Sequence, residues 1–446
     1  MILRPYQEEA VNIGLSEFDK KNFESLMVCP TAFGKSLLCA LIPKQIEGNT
    51  IILTTSKELL GQNYEKMIGF GGEASIFSAS FKQKEFGKST YATIQTAVKY
   101  ASEFKRMGYK NCLFDEVHTA SRDVGQYRKF IKESGIKKIL GLTATPYKLA
   151  QRTDFSGNRY TKVEMLTKRG STRPMFKDII YLMQVEDIVK QGFWSKLEYE
   201  LFDWDTGGLV FNSTGAEYTD DSIERFYKNN NIEQRIINRI IDSDSNAILV
   251  FVKSIAQAQA LAARVPNSAC VYSGMPDKER QRIVTQYKAG LIRTVFNVSI
   301  FAIGFDYPEI SHIIDANPTA SLSNVTQRGG RGTRIHLLKE KCIITDLAGN
   351  YNRFGKLEDI RFKKNSLGDW NVYSQDRLLS DVDIKHIRPW KSDEWNVYFN
   401  FGKYEGQKVT DAPDNYLIWC LKNTNWNSNT NHIREEILRI KRERVK

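Results

Sequence analysis

Short, continuously apolar runs recur along the first third of the chain, each followed by an amphipathic stretch. Ser25-Leu26-Met27-Val28-Cys29 predicts a strand, then a turn and a helix over 35–42. Thr50-Ile51-Ile52-Leu53-Thr54-Thr55 predicts another strand, with a helix from Lys57. Asn111-Cys112-Leu113-Phe114 predicts a strand that ends on two acids, and 138–143 a further one. Apolar runs without alternation belong to strands buried on both faces, and their interleaving with helices predicts a parallel sheet covered on both sides. The rhythm returns at 247–252, 269–272, 293–298, 312–315 and 342–346, with an Ala/Gln-rich helix at 255–263.

The expected class is α/β: two parallel-sheet domains in tandem and a smaller third part. The boundaries read 1–150, a basic linker or insertion at 151–195, a second domain at 196–348, and an accessory module at 349–446. A chain of 446 residues accommodates about three domains. The stretch 147–175 reads as a loop carrying seven Lys/Arg against Asp154 and Glu164. Beyond Leu347 the rhythm stops. Tryptophan, tyrosine and asparagine become frequent, and the chain ends in a basic, helix-like 433–446.

Apolar residues at 41% and charged residues at 26% are those of a globular protein and exclude a collagen, a coiled-coil rod or a disordered tail. No apolar run approaches the ~18 residues of a membrane span, and residues 1–6 lack a signal-peptide core. The six cysteines are scattered, which predicts no metal cluster and a reduced, cytoplasmic protein. A net charge of +12 suggests a polyanionic partner such as nucleic acid.

Cys29-Pro30-Thr31-Ala32-Phe33-Gly34-Lys35-Ser36 lies between a predicted strand and helix. A phosphate loop needs free backbone N–H groups, a lysine for the β/γ charge and a hydroxyl for Mg²⁺. Gly34-Lys35-Ser36 meets the last two needs, while Cys29 stands where such loops carry their first glycine. A strand–turn–helix with an exposed lysine would look similar. Asp115-Glu116-Val117-His118 follows an apolar strand: Asp115 is placed to hold a metal and Glu116 to activate water. A solvated acidic turn is the plainer reading, made less apt by a phosphate loop ~80 residues earlier in one doubly wound sheet. Gln327-Arg328-Gly329-Gly330-Arg331-Gly332-Thr333-Arg334 puts arginines three apart on one helical face, suited to γ-phosphate charge or to any anion.

This ordered set resembles a superfamily 2 helicase of the DExH kind, over about residues 1 to 350. Leu3-Arg4-Pro5-Tyr6-Gln7 is similar to the Q motif, 29–36 to motif I, and Thr55-Ser56-Lys57-Glu58-Leu59 with Gln62 to motif Ia. Tyr91-Ala92-Thr93-Ile94-Gln95-Thr96 is similar to motif Ib, 115–118 to motif II, and Leu142-Thr143-Ala144-Thr145-Pro146 to motif III. Val250-Phe251-Val252 with Ser254 resembles motif IV, Tyr272-Ser273-Gly274 the start of motif IVa, Gly304-Phe305-Asp306-Tyr307-Pro308 motif V, and 327–334 motif VI.

The resemblance implies two RecA-like motor domains, ATP with Mg²⁺, and DNA as partner. Gln7 would read adenine, with Arg4 nearby. Thr31, Gly34 and Lys35 would cradle the phosphates, and Ser36 and Asp115 would hold Mg²⁺. Glu116 would activate water, and Thr143 and Thr145 would couple nucleotide to strand. Gly304 and Asp306 would reach the nucleotide from the second domain, and Gln327, Arg331 and Arg334 would meet the γ-phosphate. Ser56, Lys57 and Thr93 would grip strand phosphates, joined by Lys168, Arg169 and Arg173 of the basic stretch. Two departures stand out. Ala32 replaces a frequent glycine, and Ser299-Ile300-Phe301-Ala302 lacks the usual acidic or threonine pair before motif V.

Within the superfamily the layout is most similar to phage recombination helicases. That implies ATP-driven remodelling of forks and Holliday junctions by a monomer in the host cytoplasm. An RNA-dependent ATPase of the same fold, a restriction-system DNA translocase and a non-enzymatic DNA-binding subunit are the alternatives. Asp-Glu-Val-His in place of Asp-Glu-Ala-Asp, and Gln327 in place of histidine, weigh against RNA. At the C-terminus 399–408, with Pro413, Tyr416, Leu417 and Trp419, resembles a small module attached to some exonucleases and phage DNA enzymes. Tyr416 and Trp419 are expected in its core, with Lys403 and Lys408 as DNA contacts.

Overall fold

A computed structural model of the protein describes residues 3–119, 124–154, 156–168, 176–202, 206–299 and 307–389. Further on it describes 403–404, 409, 412–424, 433–434, 437–438 and 440. The chain divides into two compact units, 1–387 and 388–446.

The first unit holds two sheets. The first is built from β1 (Phe23–Val28), β2 (Asn49–Thr54), β3 (Ser75–Ser78), β4 (Gln83–Lys84), β5 (Ser89–Thr93), β6 (Tyr109–Asp115) and β7 (Lys138–Thr143). After the hairpin strands β8 (Tyr147–Thr153) and β9 (Arg159–Met165), β10 (Asp178–Leu182) joins its edge. Its order is β10-β1-β7-β6-β2-β5-β3-β4, parallel except for β4. The second comprises β11 (Lys196–Leu201), β12 (Ile248–Phe251), β13 (Ser268–Tyr272), β14 (Thr294–Val298), β15 (His312–Asp315) and β16 (Lys341–Asp346). It runs β11-β16-β15-β12-β14-β13 with every pairing parallel. The central strands β12, β14 and β15 are buried at every position, which is why their sequences carry no alternation. These are two RecA-like α/β domains in tandem.

Three parts of the chain depart from the sequence reading. The basic stretch expected as a loop forms the β8–β9 hairpin, with seven residue pairs from Tyr147↔Met165 to Thr153↔Arg159. The expected linker at 151–195 supplies β10 to the first sheet, beside the phosphate-loop strand. Residues 349–387, expected in the accessory module, pack in the first unit. There β17 (Ile360–Lys364), β18 (Trp370–Ser374) and β19 (Arg377–Leu378) form a small antiparallel sheet. Phe362, Val372, Leu379, Ile384 and Ile387 are buried in the motor core, and Phe362 stacks on Tyr147 of the first domain's hairpin. Gln184 fixes this sheet from the same domain: its amide donates to Phe362 O at 2.7 Å and accepts from Phe362 N at 3.1 Å.

In the second unit, Val409, Leu417, Cys420, Ile433, Ile437 and Ile440 form an aliphatic core. The four- and three-residue spacing of the last three is that of a helix presenting one buried face. Trp419, expected inside, is 52% exposed and stacks on a half-buried Tyr416. Among the described residues no helix is long and apolar enough to cross a membrane.

Candidate active site

The registers Val28↔Thr143 and Asp115↔Leu142 bring the C-terminal ends of β1, β7 and β6 to one edge of the first sheet. The loop 29–34, the acids and the motif III threonines therefore meet there, where parallel sheets present ligand sites. The loop is pinned by Cys29 N–H donating to Thr143 O at 2.9 Å, and it turns through Ala32 (φ 60°) and Gly34 (φ 97°) into the helix Lys35–Gln45. Left-handed backbone at Ala32 explains why glycine is usual there. A Cβ costs roughly 1–2 kcal/mol in that region, and this chain retains the strain beside its phosphate cradle.

Lys35 Nζ lies 3.1 Å from Glu116 Oε1, and both side chains are nearly buried. The Glu116 backbone is itself left-handed at φ 49°. Its second oxygen is 3.4 Å from His118 Nδ1, which shares a 2.9 Å hydrogen bond with Thr143 Oγ1. Burial opposes ionisation of Glu116, but the Lys35 ammonium and His118 outweigh it and hold the carboxyl below its ordinary range. Asp115 goes the other way: burial, then the neighbouring Glu116 charge, raise it against the opposing pull of Lys35 and Asn63. Asp115 is held at both oxygens, by Glu116 N at 2.9 Å and by Asn63 Nδ2 at 2.8 Å. Ser36 follows Lys35 on the first helical turn, half-buried.

Gln7, expected to read adenine, is buried and tied to the loop. Its Nε2 donates to Phe33 O at 2.7 Å and its Oε1 accepts from Arg4 N at 3.1 Å. Arg4 donates to Tyr6 Oη and lies 4.5 Å over the Phe193 ring, so an aromatic cluster of Tyr6, Phe33, Tyr181 and Phe193 backs the loop. In the structure the Gln7 side chain sets the loop's position.

The second domain meets this edge with motif VI. Gln327 and Arg331 are buried, with Arg331 donating to Gln327 O and Gln327 Oε1, both at 3.2 Å. The buried Gln327 Nε2 has no hydrogen-bond partner among the described residues. An orphaned amide donor beside a buried guanidinium is the chemistry an anionic oxygen satisfies. Arg334 sits half-buried three residues on; the helix ends at Gly329, so Arg331 and Arg334 lie beyond it and do not share the helical face expected for them. Arg328 points elsewhere, held by Asp315 Oδ1 at 3.0 Å and Asn317 O at 2.7 Å.

The domains touch at the phosphate loop itself. Trp194 Nε1 donates to Thr31 O at 2.9 Å, and Thr31 Oγ1 is 3.5 Å from Thr333 Oγ1. A Cβ at Gly330 would lie 2.5 Å from Thr31 Cγ2, so only glycine lets motif VI seat on motif I. Gly330→Val should wedge the domains apart and lower the maximal ATP hydrolysis rate about tenfold, within the ~10²-fold that a 1 Å misplacement can cost. Steady-state kinetics on a variant with an unchanged melting temperature checks this. Motif III makes a second bridge: Thr145 Oγ1 bonds Ser323 Oγ at 3.0 Å, and Thr145 N donates to Thr143 Oγ1 at 3.0 Å.

The expected strand contacts scatter more widely. The pairing Thr54↔Thr93 sets the ends of β2 and β5 side by side, so Ser56 and Thr93 share an edge. Ser56 Oγ caps the helix Lys57–Gly69 by accepting from Leu59 N. Thr93 is buried and bonds Thr96. Lys57 pairs with Asp277 of the second domain at 3.0 Å, beside Glu58 with Arg280 at 3.2 Å. Lys168 is engaged by Asp369 at 3.4 Å and Asp381 at 3.1 Å. Lys403 is exposed, and its N–H donates to Tyr416 Oη. Gly304, Asp306, Arg169, Arg173 and Lys408 lie outside the described residues. Trp194, Ser323, Thr333 and Asn63 were missed. Only Asn63 left a trace, as a polar residue in the apolar stripe of its helix.

Two family models match the chain: "Type III restriction enzyme, res subunit" over residues 1–148 and "Helicase conserved C-terminal domain" over residues 230–336. IRC3 of Saccharomyces cerevisiae is 21% identical over 374 residues, covering 78% of this chain and 52% of its own length. The DNA 3'-5' helicase XPB of Kineococcus radiotolerans is 24% identical over 350 residues, covering 74% of this chain and 57% of its own. The chain thus spans about half the length of these curated relatives. Among solved structures, the ATP-dependent Type ISP restriction-modification enzyme LlaBIII bound to DNA superposes with a TM-score of 0.56 at 13% identity. That match covers 78% of this chain and 28% of the other, and it speaks to the fold.

Proposed function

We propose that this chain, a superfamily 2 helicase, hydrolyses ATP to move along and unwind DNA. The observation that carries the reading is the composite site. Lys35 pairs with Glu116 beside Asp115 on one domain, and Gly330 of motif VI on the other seats against Thr31 of the loop.

Lys35 would hold the β- and γ-phosphates, with loop N–H groups around Thr31 and Gly34 cradling them. Ser36 and Asp115 would hold Mg²⁺, which neutralises phosphate charge when bound. Nucleotide phosphates would draw Lys35 from Glu116, freeing that carboxylate to orient the attacking water. Gln327, Arg331 and Arg334 would meet the charge that develops on the γ-phosphate. Closure of the domains would complete the site and hydrolysis would reopen it, with the Thr143–Thr145–Ser323 bonds carrying the change across. Grip through phosphates, without base reading, suits a motor that must not stop at particular sequences.

Forked and four-way DNA in phage-type recombination or repair is the substrate we favour, on the resemblance of the motif layout. A restriction-system translocase is the second reading, supported by the family model over 1–148 and the fold neighbour. Strand-displacement and ATPase assays on matched single-stranded, forked and four-way DNA, with RNA as control, separate them. Unwinding of forks and junctions is expected. Translocation without strand separation would favour the restriction reading, and equal stimulation by RNA would favour an RNA-dependent ATPase.

A further inference from the structure

The helix Lys57–Gly69 buries Leu59, Leu60, Asn63 and Met67. That spacing is one helical face turned to the core, and an apolar residue belongs at its middle. Asn63 stands there instead, 1% exposed. A buried amide costs free energy unless it is bonded, and its donor goes to Asp115 Oδ2 at 2.8 Å. The other Asp115 oxygen already accepts from Glu116 N, so Asn63 is what sets the rotation of the carboxylate about its Cβ–Cγ bond. The same helix starts at Ser56 and Lys57, the proposed strand contacts. A second tie joins its entry to motif II: Thr119 Oγ1 lies 3.0 Å from Thr55 Oγ1 and 2.7 Å from Glu116 O.

We infer that Asn63 is a positioning residue that orients Asp115 for the metal and transmits strand engagement at Ser56 and Lys57 to the ATP site through one rigid helix. A strand that shifts the helix N-terminus moves Asn63, and with it the metal acid. DNA stimulation of hydrolysis then needs no separate relay on this side of the site. The inference rests on the ATPase reading above. Residues that orient a metal ligand typically govern metal affinity or activity by about 10–100-fold.

Asn63→Leu is the informative variant, because leucine fills the apolar stripe and preserves packing while deleting the donor. Three readouts are taken on the full chain: the Mg²⁺ midpoint for binding a fluorescent ATP analogue, the ratio of ATPase rates with and without single-stranded DNA, and nucleotide-free DNA affinity. The expected result is a Mg²⁺ midpoint raised about tenfold or more and a collapsed stimulation ratio, with DNA affinity and melting temperature unchanged. Asn63→Ser, shorter and still polar, should move the same readouts in the same direction if leucine perturbs the fold. A folded Asn63 variant with the wild-type Mg²⁺ midpoint and stimulation ratio overturns the inference. Lys35→Ala run in parallel separates the failures. If it is inactive while Asn63→Leu behaves as wild type, only the positioning role falls; if it too hydrolyses normally, the ATPase reading falls.

Discussion

Replacing Lys35 with alanine should lower DNA-stimulated ATP hydrolysis by at least ~10²–10³-fold, the loss typical of deleting one fixed electrostatic stabiliser. Two effects add. The phosphates lose their fixed cation, and Glu116 loses the ammonium 3.1 Å away that keeps its buried carboxylate ionised. Burial is the largest influence on Glu116 and raises its pKa, so without Lys35 the folded-state value climbs toward or above the unfolded one. Sign follows: with Lys35 present, the depressed pKa contributes stability above the unfolded value near 4.5, lost as pH falls through the folded one. Lys35→Ala should flatten that acid limb of the stability curve, a second measurement independent of turnover.

Glu116→Gln should separate binding from chemistry. The amide has nearly the shape of the carboxylate and still offers an oxygen to Lys35, so nucleotide and DNA binding persist. It cannot accept a proton from water, and loss of a general base costs about 10²–10⁴-fold. Equilibrium binding of an ATP analogue together with single-turnover hydrolysis checks this. Lost binding would mean that Glu116 holds the loop through Lys35 and is no base.

The strands of both sheets could be read from sequence because burial on two faces makes them continuously apolar, as at Ile248–Phe251 and Thr294–Val298. Phosphate-loop and acid residues were legible because their spacing follows strand ends that one sheet brings together. The hairpin at 147–165 was not. Its strands are half-exposed and charged, and they read as loop until they pair with each other. Lys162 and Lys168 added to a basic patch on paper, but Asp381 and Asp369 absorb their charge across sequence separations of 219 and 201 residues. No local pattern records a partner that distant. Residues 349–387 were misplaced for the same reason: Phe362 is buried where Tyr147 of the first domain's hairpin stacks on it and Gln184 bonds its backbone. The bond from Gln7 to Phe33 O was not legible, because it depends on the loop's tertiary position. Ala32 departs from the usual glycine, and its φ of 60° gives the departure a physical cost.

The net charge of +12 is likewise redistributed. Part of it neutralises carboxylates inside the fold, and part, at Lys35 and Arg331, would meet the nucleotide on the proposed reading. The remainder available to DNA is smaller than the composition suggests.

On the proposed reading two domains share one ATP site whose turnover DNA controls. Its most direct test is the steady-state ATPase rate of the full chain with Mg²⁺, measured with and without saturating single-stranded DNA. Slow basal hydrolysis that DNA accelerates severalfold or more is expected. A rate that DNA leaves unchanged, in protein shown to bind both ATP and DNA, would contradict it.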